Sequence, residues 1–138
     1  MLRVVLENLN DNKEILNELE TVGLLEGYIS ISPEEDVTVV RPLKLNYESL
    51  VNEVGGKPSF YILKNDIVIV YNDNFLPENL EHNPLATNFS RVRLKGTCMI
   101  LKKNFNSNSD DFNLLNLDII IKIINELVKC KKNVDSLC

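Results

Sequence analysis

The single histidine, His82, is where chemistry would be sought first, because imidazole titrates near neutral pH. It is flanked by Glu81 and Asn83, but no Ser or Cys nucleophile stands at local spacing. A nucleophile, a base and an orienting group therefore do not assemble around it. Glu34, Glu35 and Asp36 form a cluster of carboxylates, yet they lack the fixed oxygen spacing of a calcium loop and read as a solvated hairpin turn. Gly55-Gly56-Lys57 has the residues of a phosphate loop in the wrong context. In a phosphate loop the glycines precede a helix whose N–H groups face the anion; here they follow a helix and read as its stop. Cys98, Cys130 and Cys138 are odd in number and widely spaced, with no CxxC. Zinc-ligand spacing is missing, so free thiols are expected, with Cys98 a small buried hydrophobe. No catalytic residue, metal or cofactor is predicted.

The remaining candidate is a long polar stretch, NDNFLPENLEHNPLATNF (72–89), between two apolar runs. Structureless connections of this length are uncommon in compact domains and are often functional. Asn72, Asp73, Asn83 and Thr87 offer hydrogen-bonding groups, Phe75 and Phe89 apolar anchors, and Pro84 a rigid corner. Arg91 and Arg93, two residues apart, would share one face of the next strand, with Lys95 beyond, and could meet an anion beside the loop. The competing reading is that Phe75, Leu76 and Leu85 merely fasten the loop to the core. Both readings stand at this level.

The elements that would position this loop follow from periodicity. LRVVLE (2–7) alternates as a strand. Asp11, with Glu14 three residues on, caps a helix whose Ile15, Leu16, Leu19 and Val22 recur at helical spacing before Gly23. GYISIS and VTVV, separated by an acidic turn, predict a hairpin. The pattern then restarts: Asn46 caps YESLVNEV with Leu50, Val51 and Val54 inward, Gly55-Gly56 stops it, and SFYIL and IVIVY flank the turn KND. Two αββ-like units result, 1–45 and 46–103, within a single domain spanning 1–138. The expected class is α+β: a mainly antiparallel sheet with helices on one face. RVRLKGTCMILKK (91–103) reads as a strand bent at Gly96, and NFNSNSDDFN as a linker. Asp110 or Asp111 then caps an apolar C-terminal helix over 110–131. Its apolar surface is wider than one neighbouring sheet usually covers, which raises the prospect of a homo-oligomer through this helix.

Composition sets outer limits. Apolar residues make up 44% and charged residues 25%, which excludes disorder. No apolar run reaches a membrane span, and the start lacks the apolar core of a signal peptide, so a cytoplasmic location is expected. A net charge of −5 argues against an extended nucleic-acid surface. Asparagine, at about one residue in seven, points to an AT-rich coding sequence.

Val54-Gly55-Gly56, Asn72-Asp73, Asn83-Pro84 and Gly96-Thr97 carry a resemblance. Over its centre the chain is similar to a family of small phage- and plasmid-encoded proteins known only as a domain of unknown function. The family's strand directly after VGG is replaced here by KPSFYI, and the N-terminal unit and final helix are additional. The resemblance implies an accessory protein of a mobile element, a setting in which small proteins antagonise host defence. The expected function is therefore non-enzymatic: stoichiometric binding, with inhibition of a host defence effector in the host cytoplasm. The alternative is sequestration of a small nucleotide signal at an oligomer interface, through the 72–89 loop with Arg91, Arg93 and Lys95.

Overall fold

A computed structural model gives the architecture. It describes residues 1–74, 80–104 and 111–136, the last four through the backbone alone. In chain order the elements are β1 (Leu2–Leu6), α1 (Asn12–Thr21), β2 (Glu26–Ile31), β3 (Val37–Arg41), α2 (Tyr47–Val54), β4 (Pro58–Lys64), β5 (Ile67–Asn72), α3 (Pro84–Ser90), β6 (Cys98–Lys103), β7 (Phe112–Asn113), β8 (Leu115–Asn116) and α4 (Leu117–Ser136). The strands form one antiparallel sheet in the order β1-β3-β2-β6-β5-β4. The class is α+β, with a C-terminal helix, as the periodicity predicts.

Local chemistry explains the ends of the elements. The Asp11 side chain accepts from the Glu14 amide at the start of α1. Asn46 and Ser49 close a reciprocal capping box on α2, which stops at Gly55 in the left-handed region. Ile15 and Leu19 of α1 are buried while Leu16 and the C-cap residue Val22 lie exposed, so the inward face is narrower than its spacing suggests.

The helices do not share one face of the sheet. Ile29, Ile31, Val39, Ile69, Tyr71 and Ile100 form one core layer with α1, α3 and α4. Tyr28, Val40, Val68, Val70, Met99 and Leu101 point the other way and pack on Leu50 and Val54 of α2. The physical reason is that β5 and β6 are apolar on both faces, and a strand buried on both sides needs cover on both. Glu53 anchors α2 over this second layer, accepting from Arg3 Nη2 at 2.7 Å and from the Tyr28 hydroxyl. Burial, and then the Glu53 carboxylate, push the Tyr28 hydroxyl above its ordinary pKa. The two αββ-like units also differ in how they join the sheet. In the first hairpin the leading strand, β2, lies inward against β6; in the second the trailing strand, β5, does.

Two further expectations change. Residues 72–89 are not structureless throughout, because Asn83 caps the helix α3 and Pro84 occupies its first turn. Nor does the last helix begin at Asp110 or Asp111; Asp110 lies outside the described residues, and Asp111 precedes β7. Strands β2 and β6 pair through Ile29↔Ile100, a register that would set Gly27 opposite Lys102. At that point Lys102 pairs instead with Asn113, and Gly27 with Leu115. Residues 112–116 are thus taken up by the splayed strands, a tertiary demand that overrides their helical pattern. Helix α4 starts one residue later, where the Asn116 side chain accepts from the Ile119 amide at 3.0 Å.

The width of the α4 apolar surface is used within the chain itself. Ile120, Ile123, Ile124 and Leu127 are buried, and Leu117, Ile119, Ile121 and Val128 pack against the same core. Of the linker predicted over NFNSNSDDFN (104–113), residues 105–110 lie outside the described residues, as does Cys138, while Phe112–Asn113 form β7. No described helix is long and apolar enough to cross a membrane.

Candidate functional site

The residues singled out by sequence fall into two structural groups. Asn72 ends β5 and is buried; its side-chain oxygen accepts from the Asn74 amide at 2.9 Å. A Cβ on Gly56 would come within 2.5 Å of the Asn72 amide, so the two residues are fitted to each other. The Asp73 amide donates to the Lys57 carbonyl at 2.7 Å, while its carboxylate side is exposed. The VGG and Asn-Asp motifs therefore meet as one joint, where the stop of α2 abuts the end of β5.

Asn83 is fully buried and its side chain makes three bonds. Its side-chain oxygen accepts from the Ala86 amide at 3.0 Å, and its Nδ2 donates to the Ile31 carbonyl at 3.0 Å and to the Gly96 carbonyl at 2.9 Å. The Asn83 amide donates to the Leu94 carbonyl at 2.9 Å and the Gly96 amide to the Glu81 carbonyl at 2.7 Å, with a bridge between His82 and Lys95. This pairing joins the Asn-Pro and Gly-Thr motifs in a second joint. Thr87 strengthens it, its hydroxyl oxygen accepting from the Leu94 amide at 2.9 Å. Phe89 packs on the core beside α4, and Asn88 donates to the Cys130 carbonyl at 2.8 Å.

Arg91, Arg93 and Lys95 do not lie on a strand. Arg91 is the left-handed C-cap of α3, with φ of 62°, and β6 begins only at Cys98. The bend at Gly96 is present, at φ of 74°. Arg91 and Arg93 are exposed and Lys95 half-buried, so a cationic rim exists there without the shared strand face expected of it. Phe75 lies outside the described residues. His82 is exposed, and among the described residues no group of three or more His, Cys, Asp or Glu converges as metal ligands would. Cys98 is fully buried, and burial pushes its thiol up to about 12. Burial also raises the Cys130 thiol, aided by Glu126 and opposed by Arg91.

The structure shows a site that the sequence reading did not single out. A cleft of about 500 Å³ opens between α2, β4 and β7, walled by Leu45, Leu50, Pro58, Phe60 and Phe112. Lys103, on the last position of β6 and only 5% exposed, is among its lining residues. Its Nζ lies 5.2 Å from the Phe60 ring centroid and 4.8 Å from that of Phe112, and the two rings meet edge to face at 5.8 Å. Asn46, Tyr47, Ser59, Asp111 and Asn113 complete the lining. Its residues come from 45–60, 103 and 111–113, stretches whose convergence depends on the sheet order, so no local spacing could announce it. Phe112 falls inside the helix expected over 110–131, so its place on β7 beside Phe60 carried no signal in the sequence.

Compared with protein families, curated proteins and solved structures, the chain matches none.

Proposed function

We propose that this chain works by stoichiometric binding and not by turnover, as an accessory protein of a phage or other mobile element. Its partner on this reading is a host protein in the cytoplasm, an effector of defence that it inhibits. The observation that supports binding is the edge strand β4. Among the described residues β4 pairs only with β5, over a length of seven residues. It displays Tyr61 and Ile62 to solvent, 38% and 59% exposed, and borders the aromatic cleft beside Tyr47, which is 63% exposed. An unpaired edge with apolar side chains is the surface to which a partner's extended segment adds as a further strand. The host and defence setting rests on the family resemblance alone.

The test is capture of host protein by the tagged chain, set beside a variant carrying Tyr61→Lys and Ile62→Lys. Charges along an edge strand block strand addition; Tyr61 also stacks on the buried Tyr71 at 4.9 Å, so thermal unfolding first establishes that the variant is folded. A host protein recovered at equimolar amount and lost from the folded variant is the expected result. Absence of any stoichiometric partner overturns the reading, and a partner retained by the variant moves the interface away from β4. A second reading, capture of a small nucleotide signal, has two surfaces in its support: the aromatic-walled cleft between α2, β4 and β7, and the exposed Arg91 and Arg93.

A further inference from the structure

We infer that the edge strand β1, with the groove between it and α1, is a docking site for an extended basic peptide that adds to the sheet as a further strand. This surface is at the opposite end of the sheet from β4, and the inference stands whether or not β4 binds a partner.

Docking begins with the backbone. Among the described residues β1 pairs with β3 alone, in an unbroken register from Leu2↔Arg41 to Leu6↔Val37. Alternate N–H and C=O groups along its other side therefore face outward with no strand to receive them. Sheet edges are commonly guarded by proline, by lysine or by a bulge, and β1 has none of these. Its one charged residue, Arg3, is turned toward α2, where Nη2 donates to Glu53 at 2.7 Å.

Side chains give this edge the form of a groove. Val4 and Leu6 pack into the core layer that α1 covers, so Arg3 and Val5 stand on the opposite face of the strand. Val5 is 51% exposed there. On the α1 side a groove of about 490 Å³ is lined by Val5, Glu7, Glu14, Glu18 and Val22, among others. A strand added here has β1 along one side, α1 over alternate side chains, and Val5 beside the rest. Main-chain bonds then supply affinity and the alternate side chains supply selectivity.

Charge selects the occupant. Glu7, Glu14 and Glu18 are exposed, and among the described residues none of the three is ion-paired. No lysine or arginine lines the groove, and the net charge of −5 acts in the same sense. Glu14 and Glu18 stand about 6 Å apart along the helix axis, at 1.5 Å per residue. Side chains two residues apart on a strand are spaced by about 6.6 Å. Basic residues at alternate positions therefore match the two carboxylates, with apolar residues between them for the Val5 face. A second copy fits poorly, because a two-fold contact would set the same carboxylates against each other.

Fluorescence anisotropy of a labelled heptapeptide of alternating lysine and valine, titrated with the full chain, is the test. Saturable binding is expected. A peptide with glutamate for lysine, and one methylated on every backbone nitrogen, should each bind roughly tenfold more weakly or worse. Glu14→Gln with Glu18→Gln, both exposed and outside the core, should weaken binding about tenfold at low salt. Glu48→Gln with Glu126→Gln removes as much charge away from the groove and should leave binding unchanged. Absence of saturable binding overturns the inference, as does indifference to backbone methylation or an equal loss from the two double variants. Self-association in sedimentation that Val5→Lys abolishes would overturn it too, by giving the edge to a second copy.

Discussion

Asn83 shows how a residue that looks like a binding group can be occupied by the fold. Its amide caps α3 through the Ala86 N–H and donates to carbonyls from two distant segments, Ile31 and Gly96. Removing it leaves one helix uncapped and two buried carbonyls short of a donor, so Asn83→Ala should cost about 2–4 kcal/mol. Asn83→Asp keeps an acceptor for the cap but has nothing to donate, and it sets a carboxylate against two carbonyl oxygens. It should be no more stable than the alanine variant at pH 7 and should recover partly in acid. Urea unfolding of the two variants checks this; a loss below about 0.5 kcal/mol, the range of ordinary surface substitutions, would count against the joint. Cys98 gives a pH-dependent counterpart. Its thiol is pushed from 9.0 to about 12 by burial, so below pH 9 folded and unfolded chains alike hold the proton and the full stability is present. Above that only the unfolded chain ionises, and stability falls as pH rises, by about 1.4 kcal/mol per unit toward the folded value. The raised Tyr28 hydroxyl acts in the same direction, but from 10.0 upward. Comparing unfolding at pH 8 and pH 9.8 for the native chain and Cys98→Ala isolates the thiol: the native chain should lose stability more steeply. Equal slopes would show that the thiol ionises as readily in the folded chain.

At the scale of elements, strand and helix positions could be read from the sequence wherever local chemistry and periodicity agreed. Asp11, Asn46 and Gly55 act as cap or stop at the positions their types suggest, and the two hairpins form where alternation places them. The sidedness of the helices was less visible, although IVIVY carried the clue: an apolar run without alternation requires cover on both faces. Residues 112–116 were hidden for a different reason, since their helical spacing is real but β2 and β6 offer open backbone groups to them. The candidate site was hardest to read, because Phe60, Lys103 and Phe112 converge only through the sheet order. Close strand approach gives a sharper test at Gly27. A Cβ there would stand 2.5 Å from the Val40 carbonyl oxygen and 3.2 Å from Leu24 Cδ2. Backbone cannot yield as a side-chain tip can, so Gly27→Ala should destabilise by about 1–3 kcal/mol through overpacking. Gly56→Ala meets the end of the Asn72 side chain instead and should cost less. Thermal unfolding of both variants orders them, and the reverse order would mean that the β2–β3 pair shifts more freely than the α2–β5 joint.

For the whole molecule the decisive question is whether the apolar residues of α4 are satisfied by one chain. A helix with apolar residues around most of its circumference suggests a partner, and its neighbours within the chain offer a second account of the same residues. Here α4 packs on β2, β8, α1 and α3 together, and Ile120, Ile124 and Leu127 are fully covered without a second copy. Stability should then be a property of the single chain. Ile124→Ala removes buried methyl and methylene groups and should cost about 2–5 kcal/mol. The unfolding midpoint of both native chain and variant should be independent of protein concentration, because only an obligate oligomer gains stability by mass action. Urea unfolding at two concentrations a hundredfold apart, alongside sedimentation of the native chain, reads this directly. A midpoint that rises with concentration in the native chain but not in Ile124→Ala would place α4 in an interface between copies. A constant midpoint with a monomeric sedimentation coefficient would show that the contacts of α4 within one chain suffice for its stability.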